Sequence, residues 1–255
     1  MRHIVLLMAV VFSLNMHALE KEKFKAHVFK DGDAKLNYRL FTSEGMKEGG
    51  KYPLVLTFHG SSSCGDDNIS QLKEKRGPLE IMDYTERKGV KAFILSPQCP
   101  AGQAWVNTPW YGKSHTMPKE PAFAMKMTLA LLDKLLKDLP VDKDRIYVTG
   151  LSLGGFGTWD IIQRKPSMFA AAIPVCGGGD TAEAGNLKKL PIWIFHGDSD
   201  TLVYTKRSRD MYKALKAVAA NVQYTEYENT GHDSFTETYK NDKVLDWFFS
   251  QKKQF

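Results

Sequence analysis

The hydrophobic pattern changes period several times along the chain. KFKAHVFK and AKLNYRLF alternate apolar and polar positions on either side of Asp31-Gly32-Asp33, which predicts a β-hairpin closed by an Asp-Gly turn. YPLVLTFHG, residues 52–60, is instead almost continuously apolar and ends at glycine, as a strand buried on both faces requires. KAFILSPQ (91–98), RIYVTG (145–150), FAAAIPVCG (169–177) and PIWIFHG (191–197) share that character. NVQYTEYE (221–228) returns to alternation, as an edge strand does.

Between these runs the period lengthens to that of a helix. In PAFAMKMTLALLDKLLKDL, Ala122, Met125, Leu129, Leu132, Leu136 and Leu139 recur at spacings of three and four, bracketed by Pro121 and Pro140. Met211, Leu215 and Val218 mark a second helix, and Val244, Leu245 and Phe248 a terminal one. Asp66, Asp67 and Asn68 predict a capped helix start near Ile69. Strands alternating with helices imply an α/β fold: a mostly parallel sheet, helices on both faces, and an antiparallel hairpin at the N-terminal edge.

No internal repeat, low-complexity tract or linker divides the chain, so residues 19–255 read as a single domain. A length of 255 residues with 43% hydrophobic content supplies one sizeable core. Residues 1–18 read as a signal peptide: Arg2 supplies the positive start, and the apolar run from Ile4 to Leu14 is too short for a membrane span. The expected location is therefore secreted or periplasmic, with no stable membrane insertion after the signal is removed. The formal charge of +6 is scattered as single lysines rather than gathered into a basic block, which argues against a nucleic-acid partner. Three cysteines leave an odd thiol and form no CxxC. Cys64 and Cys99 follow two strands expected to be neighbours, and both a disulfide and free thiols stay open there.

The chemistry begins at RIYVTGLSLGGFGTWD, residues 145–160. Gly150-Leu151-Ser152-Leu153-Gly154 is G-x-S-x-G between a strand and a helix, a turn that exposes a serine at its apex. Functional groups in such sheets collect beyond the carboxyl ends of strands. Two partners occur there: Asp198 and Asp200 after PIWIFHG, and His232 after the last strand. A serine hydroxyl needs an imidazole to take its proton during attack, and a carboxylate to fix the imidazole's tautomer. Asp200 is the better acid because the loop needs a few residues to clear the strand, while Asp198 supports the turn. The oxyanion needs backbone donors, for which the Leu153 amide and the Ser61 amide are the candidates. Ser62, Trp105 and Trp110 are candidate substrate contacts, with Tyr111 beside them in the non-periodic stretch 97–118. His59 and His196, each before a glycine, read as structural; His115, in an irregular segment, reads as a surface residue, with reach to the site as the alternative. The acids at 66–67 lack the complementary ligands of a metal site, and no cofactor is expected.

These segments together resemble the exported carboxylesterases of the α/β-hydrolase superfamily often labelled "predicted peptidase". Those enzymes are related to feruloyl and acetyl-xylan esterases and to polyhydroxybutyrate depolymerase-like esterases. The resemblance rests on PLVLTFHG, GDDNISQLK, SPQCP, RIYVTGLSLGGFGTWD, VCGGGD, PIWIFHGDSDTLV and YTEYENTGHDS, and on the chain order Ser, Asp, His. It implies an α/β-hydrolase fold without a large lid domain, a triad of Ser152, Asp200 and His232, and oxyanion donors at Ser61 and Leu153. Relatives commonly carry a loop like HGAGERGDDN, where this chain has HGSSSCGDDN, so a substrate preference cannot be borrowed with the triad. The implied function is a serine carboxylesterase acting through an acyl-enzyme on short-acyl or aromatic esters, small or linked to polysaccharide. A prolyl-oligopeptidase-like peptidase and a non-catalytic binding protein on the same scaffold are the alternatives. Dienelactone-type hydrolysis uses a cysteine nucleophile and does not suit an elbow carrying Ser152.

Overall fold

A computed structural model of the protein describes residues 20–73 and 76–253; the segment read as a signal peptide lies outside them. Eight strands form one sheet in the order β1-β2-β4-β3-β5-β6-β7-β8. They are β1 (Phe24–Asp31), β2 (Ala34–Thr42), β3 (Tyr52–Phe58), β4 (Phe93–Pro97), β5 (Val141–Leu151), β6 (Ala171–Val175), β7 (Ile192–Gly197) and β8 (Val222–Tyr227). The hairpin β1–β2 and the pair β2–β4 are antiparallel, and every other pairing is parallel. This is the α/β-hydrolase architecture, and its centre is β5, where side chains are buried on both faces.

The continuous apolar strands are explained by the layers they separate. Leu54, Leu56 and Phe58 of β3 face one core and Val55 the other; β5 divides likewise, with Ile146 and Val148 on the first side and Tyr147 and Leu151 on the second. The first core is closed by α2 (Phe123–Asp138), α3 (Leu153–Arg164) and α4 (Lys206–Ala217). The second is closed by α1 (Pro78–Lys88), α5 (Phe235–Lys240) and α6 (Asp242–Ser250). Each leucine or phenylalanine so buried contributes roughly 1.5–3 kcal/mol.

Two local expectations change. No helix starts at Ile69; Asp67 accepts from the Ile69 and Ser70 amides at 3.0 Å, but the chain makes only the 3₁₀ turn Ser70–Leu72. The helix follows at Pro78, whose fixed φ suits a first helical position. In α2 the buried stripe runs through Ala124, Met125, Thr128, Leu131, Leu132 and Leu135, while Leu129, Leu136 and Leu139 are only partly covered. The helix is apolar over most of its circumference, so spacing alone does not select the face. Thr128 can lie inside because its hydroxyl donates to Ala124 O at 2.7 Å.

Candidate active site

Three strand ends converge on one point. Ser152 stands between β5 and α3 at φ 54° and ψ −120°, a left-handed backbone that costs a non-glycine residue on the order of 1–3 kcal/mol. The flanking glycines make this turn possible. A Cβ on Gly150 would lie 2.3 Å from Gly154 O, and one on Gly154 would lie 2.1 Å from Phe58 O, so helix and strands meet at backbone distance. The Ser152 amide donates to Val175 O at 3.0 Å, which ties the turn to β6.

From the Ser152 hydroxyl a hydrogen-bonded line runs inward. Ser152 Oγ is 2.8 Å from His232 Nε2, and His232 Nδ1 is 2.7 Å from Asp200 Oδ2. The buried carboxylate accepts only, so Nδ1 carries its proton and Nε2 is left as the acceptor for the serine hydroxyl. Asp200 Oδ1 takes the Leu202 and Val203 amides at 2.9 and 3.0 Å. Burial alone would raise the Asp200 pKa, but hydrogen bonds from His196, His232 and the Val203 amide outweigh it and hold the carboxyl well below its usual range. Asp198 is turned away, accepting from Ser199 Oγ at 2.7 Å and the Thr230 amide at 3.2 Å.

His196 adds a contact that sequence reasoning missed. Its Nε2 lies 3.1 Å from Asp200 Oδ2 and 3.0 Å from Val203 O, and its Nδ1 lies 2.7 Å from Ser208 Oγ. With two acceptors at Nε2, that nitrogen is the donor and the Ser208 hydroxyl serves Nδ1. Asp200 Oδ2 is thus held from both sides by imidazoles. The available signal was the spacing of His196 and Asp200 in HGDSD, four residues apart across a strand end.

The serine opens into a cleft of about 220 Å³. Ser61 and Ser62 lie on its rim with Trp110, and Phe156, Leu202 and Val203 form apolar wall. Leu153 is the first residue of α3 and Ser61 the first of the 3₁₀ turn Ser61–Ser63. Amides at such positions have no partner within their own helix, which leaves two donors beside Ser152 for a negatively charged oxygen. Lys73 Nζ donates to Ser62 O at 2.5 Å and holds the rim loop.

Trp105 is not a wall of this cleft, and its expected substrate contact is corrected. It is fully buried, donates from Nε1 to His59 O at 3.0 Å and packs on Phe58 at 4.7 Å between ring centres. The apolar surface of an indole whose N–H already has a carbonyl is better buried than wet. His59 is structural: its Nε2 accepts from the Cys99 amide at 2.9 Å, and burial lowers its pKa to about 4. His115 is half-buried rather than fully exposed. Its Nδ1 accepts from Arg207 Nη1 at 2.8 Å, and burial with the arginine charge lowers its pKa to about 4.

Cys64 and Cys99 are free thiols; Cys99 is buried, and the partly exposed Cys64 donates from Sγ to Gln103 O at 3.8 Å. Cys176, Asp200 and His232 bring potential ligand atoms within 4.8 Å of one another. Yet His232 and Asp200 are spent on each other, and burial raises the Cys176 pKa and keeps its thiol protonated. The donor set fits the serine–histidine–aspartate line better than a cation. No described helix is long and apolar enough to cross a membrane.

The sequence profile of the dienelactone hydrolase family matches residues 109–252, more than half of the chain, and the chain belongs to that family. Membership speaks of the scaffold; the elbow residue is Ser152, not the cysteine of dienelactone hydrolysis. A crystal structure of a thermostable esterase superposes with a TM-score of 0.85 at 36% identity, covering 92% of this chain and 64% of the other. A ferulic acid esterase shares the fold at a TM-score of 0.67 and 17% identity, covering 89% of this chain and 98% of the other. Among curated proteins, a bifunctional acetylxylan esterase/xylanase of Neocallimastix patriciarum is 25% identical over 114 residues, 42% of this chain and 17% of that protein. A poly(3-hydroxyalkanoate) depolymerase C of Paucimonas lemoignei is 31% identical over 103 residues, 29% of this chain and 25% of that protein. The chain therefore spans a quarter or less of the length of these two curated relatives.

Proposed function

Taking membership of the dienelactone hydrolase family as the premise, we propose that this chain is an exported serine carboxylesterase working through an acyl-enzyme. The observation that carries the proposal is the unbroken line Ser152 Oγ, His232 Nε2, His232 Nδ1, Asp200 Oδ2 at 2.8 and 2.7 Å. Ser152 attacks the ester carbonyl while His232 takes its proton; His232 then returns that proton to the departing alcohol. Water, deprotonated by the same imidazole, releases the acid. The amides of Leu153 and Ser61 receive the oxyanion, each worth about 3 kcal/mol. The small cleft and the esterase relatives support short-acyl or single-ring aromatic substrates of the acetyl or feruloyl type, free or linked to polysaccharide. Export rests on the signal-like residues 1–18.

Initial rates of residues 19–255 on p-nitrophenyl acetate, butyrate and octanoate, methyl ferulate, acetylated xylan and a peptide anilide test this. The expected result is turnover of short or aromatic esters that falls by at least roughly 10³-fold in Ser152→Ala, which still folds. Preference for the anilide would instead make the protein a peptidase. A folded sample inert on every member would favour a binding scaffold.

A further inference from the structure

The cations around the cleft differ in one respect. Lys73 is committed to Ser62 O, and Arg207 to the carbonyls of Gly112 and Pro109 and to His115. Arg76 lines the same cleft as Ser152 and His232, and among the described residues no carboxylate or carbonyl receives its guanidinium. It lies over the ring of Phe235 at 4.9 Å, and the same ring meets the His232 imidazole edge-on at 6.4 Å. Arg76 is thus set one aromatic ring away from the imidazole that handles the proton. On its C-terminal side the chain passes through Gly77 into α1 at Pro78, and Glu80 Oε2 accepts from the Gly77 amide at 2.9 Å.

A guanidinium held over an aromatic ring still has N–H groups that point away from the ring and can fork a carboxylate. No lining residue of the cleft carries a negative charge, since Asp200 lies wholly behind His232 with none of its side chain exposed. We propose that Arg76 recognises an anionic substituent, so that the preferred substrates are esters bearing a carboxylate within reach of the scissile bond. This rests on the esterase reading and names the substrate class within it. Charge-assisted pairing of this kind is stronger than a neutral hydrogen bond, and at a site open to solvent it weakens with salt.

Two matched pairs test the inference and report which side of the ester carries the charge. Mono-p-nitrophenyl adipate against p-nitrophenyl hexanoate places the carboxylate on the acyl side; 4-acetoxybenzoate against 4-acetoxybenzamide places it on the alcohol side. The wild-type protein is expected to favour the charged member of one pair by roughly tenfold in kcat/KM, mainly through KM, with the ratio shrinking as salt rises. Arg76→Gln should bring that ratio to about one, Arg76→Lys should keep part of it, and Arg76→Glu should invert it. Circular dichroism would establish that each variant is folded. Turnover of the neutral esters with no charged preference, or a preference that Arg76→Glu leaves standing, overturns the role of Arg76 alone. Failure to turn over any of the four esters overturns the esterase reading and this inference together.

Discussion

On one bank of the cleft, Ser152 sits between β5 and α3 at the middle of the sheet, with Gly154 packed against the backbone of β3. On the other bank, Trp110 stands 45% exposed on residues 98–122, which contain no helix or strand. The first bank is held by contacts between main chains that no side chain can replace. The second hangs on side chains: Arg207 donates to Gly112 O at 2.6 Å, Pro109 O at 2.9 Å and His115 Nδ1 at 2.8 Å, while Arg164 and Asp180 hold residues 117–119. The difference separates reacting groups, which must keep one geometry, from a wall that can be rebuilt for another substrate without moving the sheet.

The comparison breaks most directly at the two aspartates beyond β7. Asp200→Asn removes the acceptor shared by His232 and His196 and is expected to lower kcat/KM on the order of 10⁴-fold. Asp198→Asn alters a solvent-facing turn and should stay within about threefold. Equal losses in steady-state assays of the two variants would mean that Asp200 is not the group that orients His232.

Stability offers the second contrast. Gly154→Ala sets a Cβ 2.1 Å from Phe58 O and 2.7 Å from His59 O, and neither carbonyl can retreat without moving β3. A loss of more than about 3 kcal/mol in urea unfolding is expected, at the upper end for single substitutions. Gly112→Ala on the loop meets Pro109 O and Ser114 O only at 3.4 Å and should cost less than about 1 kcal/mol. If both proved equally mild, the elbow would have slack that its backbone distances deny.

The same division governs what could be read before the fold was known. Strand period, the G-x-S-x-G turn and the order Ser152, Asp200, His232 are local patterns, because each group sits directly after the strand that carries it. The sheet and hairpin were legible for that reason. Trp105 and Trp110 lie five residues apart in a stretch without period, and only the folded chain separates the buried ring that bonds His59 O from the one at the rim. His196 was read as structural without its Asp200 contact, because that contact depends on how the turn after β7 doubles back. Arg76 follows the 3₁₀ turn Ser70–Leu72, where no repeat says which face meets the cleft.

The smallest effect should come from freeing the second bank. Arg207 is 2% exposed, lies 4.9 Å over the Phe156 ring and has no carboxylate partner among the described residues. Burial alone lowers its pKa, to about 10, so it stays charged at neutral pH and must be satisfied by the loop it binds. Arg207→Met keeps an apolar stem against Phe156 but leaves Gly112 O, Pro109 O and His115 Nδ1 without their donor. Hydrogen exchange should rise across residues 109–116 while α3 and β5 stay protected, because α3 meets the guanidinium only through the Phe156 ring, against which the methionine stem still packs. Displacing Trp110 from the rim should then raise KM for single-ring esters by roughly tenfold, about 1.4 kcal/mol, with kcat nearly kept. Loss of protection throughout α3 would instead make Arg207 a support of both banks, and the separation between reacting groups and wall would have to be withdrawn.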